Sequence, residues 1–310
     1  MKKLVYKKFG GVDVLELMDA PIPALKSNTV LVKVKAAAIN PVDWKMREGQ
    51  LKILSGWKFP QGSGLEFSGV VEEISVGVNE FKIGDEVFGA AKSCMAEYIV
   101  ADIKKIAHKP TQLTHEQASI IPIVGITAAS IFTKLLTIEK GMEVLINGAT
   151  GGIGMFATQM AKNSGAIVSA VVSSKGIDLV KEWGAHKVIN YKETNILTSS
   201  KKYDVVIELS DKLSFNQGKS LLKDKGYFIA SLPKPKEILS GLINNIFSYK
   251  KYKLVGSFAN NENLKALSDE VVNSNMDLVI AKSFPLEDFR EAYTEAAQGT
   301  LLGKLVLSLT

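Results

Sequence analysis

The chain has 310 residues, a formal net charge of +6, 46% hydrophobic residues and 23% charged residues. This length predicts two domains, because a domain usually has about 100–200 residues, and the composition is that of a globular protein. The single cysteine, Cys94, excludes an internal disulfide and a multi-cysteine zinc site. No apolar run approaches the ~20 residues of a membrane span, and the first residues lack the apolar core of a signal peptide. We therefore expect a cytoplasmic protein without a membrane partner.

The positive charge is spread along the chain and does not favour a nucleic-acid partner. Lysine pairs are scattered, and Arg47 and Arg290 are the only arginines. Proteins that read bases or grip phosphates bidentately use more arginine, and single-strand binders interleave aromatic residues with the charges.

Short strands and turns are predicted up to about residue 118. The strand candidates, chosen for β-branched content, are Val30–Val34, Val70–Ile74, Glu86–Phe88 and Tyr98–Val100. Gly-Asp and Ala-rich turns separate the later ones. This pattern predicts a mostly antiparallel β domain.

Strands then alternate with helices. The predicted strands are Glu143–Ile146, Ile167–Val172, Lys187–Asn190, Tyr203–Leu209, Tyr227–Ser231 and Lys253–Ser257, and the predicted helices are Gly152–Asn163, Gly176–Trp183 and Phe215–Leu222. Such alternation predicts parallel βαβ units and a doubly wound α/β sheet.

Two segments complete the domain prediction. Residues 233–252 form a connection with an apolar middle, Ile238–Phe247, which is either a short helix or, slightly favoured, a surface connector. A strand at Lys304–Leu309 follows the last helix and needs a partner, which we expect in the first domain. The predicted domains are therefore residues 1–118 with 279–310, and residues 119–278.

A glycine-rich turn carries the strongest single motif. The segment Asn147–Gly154 follows an apolar strand and opens a helix, and Ala149, Gly151 and Gly154 occupy the three small-residue positions of G-x-G-x-x-G. Small residues there permit a tight turn, close backbone approach to a pyrophosphate and close helix packing. The helix N-terminus offers free N–H groups to the anion. The predicted cofactor-binding residues of this turn are Ala149, Thr150, Gly151, Gly152, Ile153 and Gly154.

The end of the next strand indicates which dinucleotide is bound. NAD-binding folds usually carry Asp or Glu about 20 residues after the turn, to bind the ribose hydroxyls. Here the strand ends in Ser173, Ser174 and Lys175, and the next acid is Asp178, inside the following helix. Two hydroxyls and an ammonium suit a 2′-phosphate, so NADPH is predicted over NADH.

Several motifs in order resemble the zinc-independent medium-chain dehydrogenases/reductases of the quinone oxidoreductase, zeta-crystallin-like, branch. The matching segments are Ala38–Asp43, Gly64–Val71, Gly84–Gly89, Gly125–Ala128, Ala149–Gly154, Val188–Tyr191 and Gly303–Val306. The resemblance implies a GroES-like mostly antiparallel β domain joined to a Rossmann domain with a doubly wound parallel sheet. It also implies a homodimer, formed through the edge strand near Lys253–Ser257, which would hide an exposed strand edge.

The resemblance also bears on metal chemistry. Zinc-dependent members have a cysteine at Asn40, a histidine at Leu65 and a second cysteine near Val124. Zinc prefers thiolate, imidazole or carboxylate ligands, so no metal is expected. Without a Lewis acid, an easy hydride acceptor is needed, and conjugated enones and quinones delocalise the charge they gain. The sequence leaves open which of the two is reduced.

The remaining site residues follow from the resemblance. Asn40 is a candidate donor to a substrate carbonyl or to the nicotinamide carboxamide, and Asp43 is a candidate orienting residue. The candidate cofactor contacts outside the turn and the second strand are Thr127, Tyr191, Phe258 and Lys304. An alternative function is an NADPH-binding protein with little catalysis that acts through protein or nucleic-acid contacts.

Overall fold

The computed structural model describes residues 1–231, 235–256, 258–299 and 301–309. Its strands are β1 (Lys2–Tyr6), β2 (Leu15–Asp19), β3 (Thr29–Ala38), β4 (Gln61–Gly62), β5 (Glu66–Ile74), β6 (Glu86–Ala90), β7 (Tyr98–Asp102), β8 (Ile106–His108), β9 (Glu143–Asn147), β10 (Ile167–Val172), β11 (Lys187–Asn190), β12 (Tyr203–Glu208), β13 (Leu222–Ser231), β14 (Lys251–Val255), β15 (Ile280–Pro285) and β16 (Lys304–Ser308). Its α-helices are α1 (Pro41–Arg47), α2 (Lys52–Ser55), α3 (His115–Ser119), α4 (Ile126–Ser130), α5 (Gly152–Asn163), α6 (Ile177–Glu182), α7 (Phe215–Gly218), α8 (Pro235–Phe247), α9 (Asn261–Asn273) and α10 (Phe289–Ala297).

The chain divides into two compact units. Unit 1 comprises Met1–Ile126, Ala259–Asn275 and Val279–Thr310, and unit 2 comprises Thr127–Phe258 and Met276–Leu278. The first change of unit thus lies after residue 126, where the sequence predicted 118, and residues 259–275 group with unit 1. Local contacts explain both differences, because the Ile123 N–H donates to Glu66 and the Asn261 amide donates to the carbonyl of Ile106.

Unit 1 is built mainly from antiparallel strands. A three-stranded sheet has the order β2-β1-β4, and a larger sheet has the order β15-β16-β3-β5-β6-β8, with β7 also paired to β3. Inward residues such as Val32, Val34 and Phe67 are fully buried between these strands. The tail strand β16 pairs antiparallel with β3, opposite Ala36–Ala38, which confirms the expected return of the chain to the first domain.

Unit 2 contains a parallel sheet of order β11-β10-β9-β12-β13-β14. Strands buried on both faces are uniformly apolar, as in the fully buried run Val144–Ile146 of β9. The chain runs outward from β9 through β10 to β11, then returns to β12 on the other side of β9. Together the two units confirm the predicted GroES-like and Rossmann architecture.

One prediction in unit 2 is wrong. The segment favoured as a surface connector contains a thirteen-residue helix, α8. Gly241 lies so close to the Tyr252 ring that a Cβ would be 2.3 Å from it, and Asn244 and Asn245 donate to backbone carbonyls of Lys250 and Tyr252. These contacts with β14 and with the residue before it fix the helix.

Within the described ranges, no helix is long and apolar enough to cross a membrane.

Candidate active site

The turn between β9 and α5 has the close packing that its glycines predict. Gly148 adopts φ +84°, in the left-handed region that favours glycine. A Cβ on Gly154 would be 2.3 Å from the carbonyl oxygen of Gly148 and 2.6 Å from that of Ala149. Only glycine at 154 therefore allows the first turn of α5 to pack against this loop.

The N-terminus of α5 is open to an anion. Its N-cap residue, Gly151, makes no side-chain cap, and its first turn carries no acidic residue. The first N–H groups of a helix, here on Gly152 and Ile153, have no intrahelical acceptor and lie at the positive end of the helix dipole. A Cβ on Gly151 would meet only the Gly148 oxygen, at 3.5 Å, so the space beside it is free for a phosphate. These residues, with Thr150, fit a pyrophosphate.

The sheet topology places this turn where open α/β sheets bind ligands. The strand order reverses between β9 and β12, and ligands bind at the carboxyl ends of the strands flanking such a point. Asn147 ends β9 and lies opposite Glu208, the last residue of β12. The Glu208 carboxylate is 4% exposed and accepts hydrogen bonds from Asn147 Nδ2 at 2.6 Å and from the backbone and hydroxyl of Ser210 at 2.8 and 2.7 Å.

Glu208 therefore ties the loop after β12 to the strand that enters the phosphate-binding turn. Sequence reasoning assigned it no role. The available signal was a largely apolar strand that ends in a buried acid, but its partner Asn147 lies 61 residues earlier in the chain.

The predicted 2′-phosphate residues lie at the ends of two neighbouring strands. Ser173, Ser174 and Lys175 follow β10 directly, and Ser174 and Lys175 are exposed. Tyr191 follows β11, is 56% exposed and donates its backbone N–H to the carbonyl of Val172 at 3.1 Å. The structure thus brings Tyr191 next to Ser173, at one edge of the sheet, with two hydroxyls and an ammonium available to an anion.

The other predicted cofactor contacts differ in their surroundings. Thr127 is nearly buried as the second residue of α4, which matches its predicted place at a helix start. Phe258 is 91% exposed. Lys304 is 5% exposed, and its ammonium donates to the carbonyl of Ile39 and to Asn40 Oδ1. The predicted cofactor contact at Lys304 does not match this placement, because the ammonium is enclosed within unit 1.

Lys304 belongs to a buried polar cluster that also contains Asn40. The Asn40 side chain accepts from Lys304 Nζ at 2.7 Å and donates from Nδ2 to Glu66 Oε1 at 2.6 Å. The other Glu66 oxygen accepts from the Ile123 N–H at 2.7 Å, and Lys304 Nζ lies 3.9 Å from Glu66 Oε1. Burial raises the pKa of Glu66 and lowers the pKa of Lys304, while their mutual attraction opposes both shifts.

This cluster corrects the predicted role of Asn40. The residue is 1% exposed, and its carbonyl and one amide hydrogen are bonded to a buried ion pair. A direct contact with a substrate carbonyl does not match this placement. Asn40 instead connects Glu66 on β5 with Lys304 on β16.

Asp43 is buried beside the cluster. Its Oδ2 accepts from the Asn40 backbone N–H at 2.8 Å, whereas its Oδ1 is buried without a hydrogen-bond partner. Burial raises the pKa of Asp43 to about 7, although the Asn40 hydrogen bond and the charges of Lys304 and Arg47 oppose the shift. Asp43 caps the start of α1 and holds the backbone of Asn40, and its orienting role at the site stays a prediction.

The residues at the zinc-ligand positions of the zinc-dependent relatives do not fit a zinc ion. Leu65 and Val124 have no ligand atoms, and the oxygen of Asn40 already accepts from a buried ammonium, which would repel a second cation. Among the described residues, no three His, Cys, Asp or Glu side chains are grouped to hold a metal ion.

Comparison with known proteins agrees with the fold. Residues 26–170 match the alcohol dehydrogenase GroES-like domain, and residues 183–307 match a family model described as zinc-binding dehydrogenase. A chloroplast envelope quinone oxidoreductase homolog of Arabidopsis thaliana is 30% identical over 322 residues, covering 99% of this chain and 98% of the relative. A chloroplastic NADPH-dependent alkenal/one oxidoreductase of the same plant is 34% identical over 221 residues, covering 67% of this chain and 57% of the relative.

Solved structures give the same result. The quinone oxidoreductase from Coxiella burnetii has a TM-score of 0.90 and 30% identity, with 100% of this chain and 99% of that chain covered. A relative from Bos taurus named a mitochondrial NAD(P)H oxidoreductase is 31% identical and covers 100% of this chain and 89% of the relative. The chain thus belongs to the quinone oxidoreductase branch of the medium-chain dehydrogenases/reductases, a family of enzymes, and is an NAD(P)H-type oxidoreductase.

Proposed function

We propose that this enzyme is an NADPH-dependent reductase that transfers a hydride to a conjugated enone or a quinone without a metal ion. The observation that carries the proposal is the pairing of two features in unit 2. The N-terminus of α5 is open beside the close-packed Gly154, and the end of β10 offers Ser173, Ser174 and Lys175 where an NAD-binding fold would carry an acid.

In this proposal the residues of unit 2 bind and orient the dinucleotide. The N–H groups at the start of α5 bind the pyrophosphate, and Ser173, Ser174 and Lys175 bind the 2′-phosphate beside Tyr191. Glu208 holds Asn147 and the loop after β12 in place at the point where the strand order reverses. When bound, NADPH supplies the hydride.

The residues of unit 1 limit the chemistry. Asn40 and Asp43 are positioning residues here, because they order the start of α1 and connect it to the buried Glu66–Lys304 pair. The donor set around Asn40 suits no Lewis acid, so the acceptor itself must stabilise the negative charge that it gains. Enones and quinones do this by delocalisation, and hydrogen-bond donors and a proton then complete the reduction.

Both acceptor classes have support among the relatives. One relative is named a quinone oxidoreductase homolog and another an alkenal/one oxidoreductase, and the chain resembles both. Product analysis separates the two activities. Hydride transfer to the C=C bond of an enone, followed by a proton, yields a saturated carbonyl. A quinone route takes the same two electrons either as one hydroquinone or as two semiquinones, and the semiquinones then reduce oxygen.

The test is NADPH oxidation against a panel of small enones and of ortho- and para-quinones, with NADH in parallel. We expect turnover with NADPH on at least one acceptor and no stoichiometric zinc in the purified protein. NADPH binding without any turnover would contradict the proposal and favour the alternative of a binding protein. One zinc per chain would overturn the metal-free mechanism.

The choice of NADPH has a test of its own. Replacing Lys175 with Ala should weaken the binding of NADPH by about tenfold or more and leave the affinity for NADH nearly unchanged, because only NADPH carries the 2′-phosphate. Lys187→Ala is the matched control. Lys187 is also exposed but begins β11, so it lies at the amino ends of the strands, whereas Lys175 lies at their carboxyl ends. Equal losses for both cofactors would mean that Lys175 does not contact the 2′-phosphate.

The cytoplasmic location stays a prediction. The names of the two Arabidopsis relatives place those proteins in the chloroplast.

A further inference from the structure

A cluster of aromatic rings lies on the surface of unit 1, around the loop that follows α1. The ring of Phe9 makes edge-on contacts with Phe59, at 4.9 Å between ring centroids, and with Trp57, at 6.4 Å. Trp57 is nevertheless 68% exposed and Phe59 37% exposed, so packing within the cluster leaves much of the indole open to solvent. A contiguous apolar surface that stays exposed marks an interaction site.

A lysine ammonium lies over these rings. Lys52 Nζ is 4.9 Å from the ring centroid of Phe9 and 5.3 Å from that of Trp57, within reach of the attraction between a cation and an aromatic face. In the part of the chain that the structure describes, no carboxylate lies within ion-pair distance of Lys52, and the one acid of segment 45–60, Glu48, lies 3.6 Å from Arg47 instead. The charge of Lys52 is therefore available to an anion.

Polar contacts hold the loop that carries Trp57. The Tyr6 hydroxyl donates to Gln61 Oε1 at 2.6 Å, and Gln61 Nε2 donates to the carbonyl of Gly56 at 3.1 Å. The Tyr6 ring also packs edge-on against Phe59, with 6.1 Å between the centroids. The rings are thus ordered before a ligand arrives, which lowers the entropic cost of binding.

The cluster stands at the carboxyl-terminal end of α1. The Gly10 N–H donates to the carbonyl of Arg47 at 3.0 Å, and Arg47 Nε donates to the carbonyl of Gly10 at 3.2 Å, which holds Phe9 beside that end of the helix. Helix α1 has seven residues and is about 10 Å long. Its other end carries Asn40 and Asp43, the positioning residues of the proposed function. A planar molecule of two fused rings covers much of this distance.

We propose that this surface binds planar aromatic acceptors that carry an anionic group, such as a carboxylate or a sulfonate. The surface, named the aromatic platform, consists of Phe9, Lys52, Trp57 and Phe59. The indole of Trp57 stacks on the acceptor ring, and the Lys52 ammonium pairs with the anionic group. The same positive charge disfavours cationic acceptors.

The role of the platform rests on the proposed function, because only a reductase has an acceptor to select. Within that function, the platform narrows the acceptor class to aromatic quinones and aromatic enones with an anionic substituent. Binding of an aromatic anion that cannot be reduced does not require turnover, and turnover of a neutral quinone does not require the contact with Lys52. The two proposals can therefore fail separately.

The first experiment measures binding without turnover. Naphthalene-2-sulfonate and the neutral naphthalene-2-sulfonamide have the same ring system, and neither accepts a hydride. In isothermal titration calorimetry the sulfonate should bind about fivefold or more tightly than the sulfonamide, and K52Q should abolish this preference. W57L should weaken both ligands by about fivefold or more, because stacking does not depend on the charge of the ligand.

Steady-state kinetics connects the platform to the acceptor. In K52Q the KM for 1,4-naphthoquinone-2-sulfonate should rise by about fivefold or more, while the KM for 1,4-naphthoquinone stays nearly unchanged. Naphthalene-2-sulfonate should inhibit competitively with respect to the sulfonated quinone. Trp57 is largely exposed and Lys52 lies at the surface, so both variants should fold, and thermal unfolding checks this.

A matched variant separates a contact from a change in net charge. Lys58 follows Trp57 in the same loop and is exposed, so K58Q removes an equal charge and should keep the preference for the sulfonate. Equal losses in K58Q and K52Q would overturn the proposal, as would equal affinities of the wild-type protein for the sulfonate and the sulfonamide. Inhibition that is not competitive with the sulfonated quinone would likewise overturn it.

Discussion

At the scale of single residues, the buried carboxyl group of Asp43 makes stability depend on pH. Its pKa is raised from 3.8 to about 7 in the folded protein. Between those values the folded state holds a proton that the unfolded state has lost, so the folded state loses stability as pH rises through this window. The full loss is about 4 kcal/mol above pH 7, at about 1.4 kcal/mol per pH unit.

Replacing Asp43 with Asn should remove this dependence. The amide keeps an oxygen for the Asn40 N–H and carries no charge to desolvate at the position of the unpartnered Oδ1. Urea unfolding from pH 4.5 to 7.5 should show the variant gaining about 1.4 kcal/mol per pH unit over the wild type. A difference between the two proteins that is constant with pH would mean that Asp43 is already ionised at pH 4.5.

The residue scale also shows what sequence reasoning could reach. Asn40 and Asp43 were found because they belong to a family motif, but their roles depend on partners elsewhere in the chain. Lys304 lies 264 residues after Asn40, and only the pairing of β16 with β3 brings the two together. A motif can identify such a residue, whereas tertiary contacts decide whether it faces a ligand or the core.

At the scale of elements, two glycines near the start of α5, Gly151 and Gly154, allow the effect of a substitution on packing to be separated from its effect on cofactor binding. Gly154→Ala forces a Cβ to within 2.3 Å of the Gly148 oxygen. It should therefore lower the free energy of unfolding by about 1–3 kcal/mol and weaken the binding of NADPH. Gly151→Ala has room for its methyl group and an extended backbone with φ −75°, so its stability should change little.

The same methyl group of Gly151→Ala would project where the pyrophosphate approaches α5, so NADPH binding should fall by about tenfold or more. Thermal unfolding without cofactor and fluorescence titration with NADPH measure the two effects. Normal NADPH affinity in a stable Gly151→Ala would show that the phosphate does not lie at this helix N-terminus.

Helix α8 shows where pattern reasoning fails for an element. The strands of unit 2 and helix α5 follow from periodicity and glycine placement, because their apolar residues face a core. In α8 the apolar residues face outward, and Asn244 and Asn245 form hydrogen bonds to Lys250, just before β14, and to Tyr252 in β14. The apolar segment carried helical spacing, but the sequence did not contain the information that a polar face would hold it.

At the scale of the whole molecule, the Glu66–Lys304 pair ties the C-terminal strand β16 to β5 across unit 1. Glu66→Gln or Lys304→Met alone leaves one buried charge without its partner and should cost about 3–5 kcal/mol of unfolding free energy. The double variant should cost clearly less than the sum, because it removes both charges. Additive losses in urea unfolding would show that the two groups do not interact.

The homodimer expected from the family is the remaining prediction at this scale. β14 is the edge strand of the sheet in unit 2, and Asn245 already occupies the outward N–H and carbonyl of Tyr252. Leu254, two residues on, directs its backbone groups to the same open side.

Leu254→Pro removes that outward donor without removing a ladder bond to β13, and proline is tolerated at such an edge. The wild-type chain should sediment at twice its 33.6 kDa mass and the variant as a folded monomer. A wild-type monomer at micromolar concentration would contradict the dimer, whereas a variant that remains dimeric would place the interface away from β14.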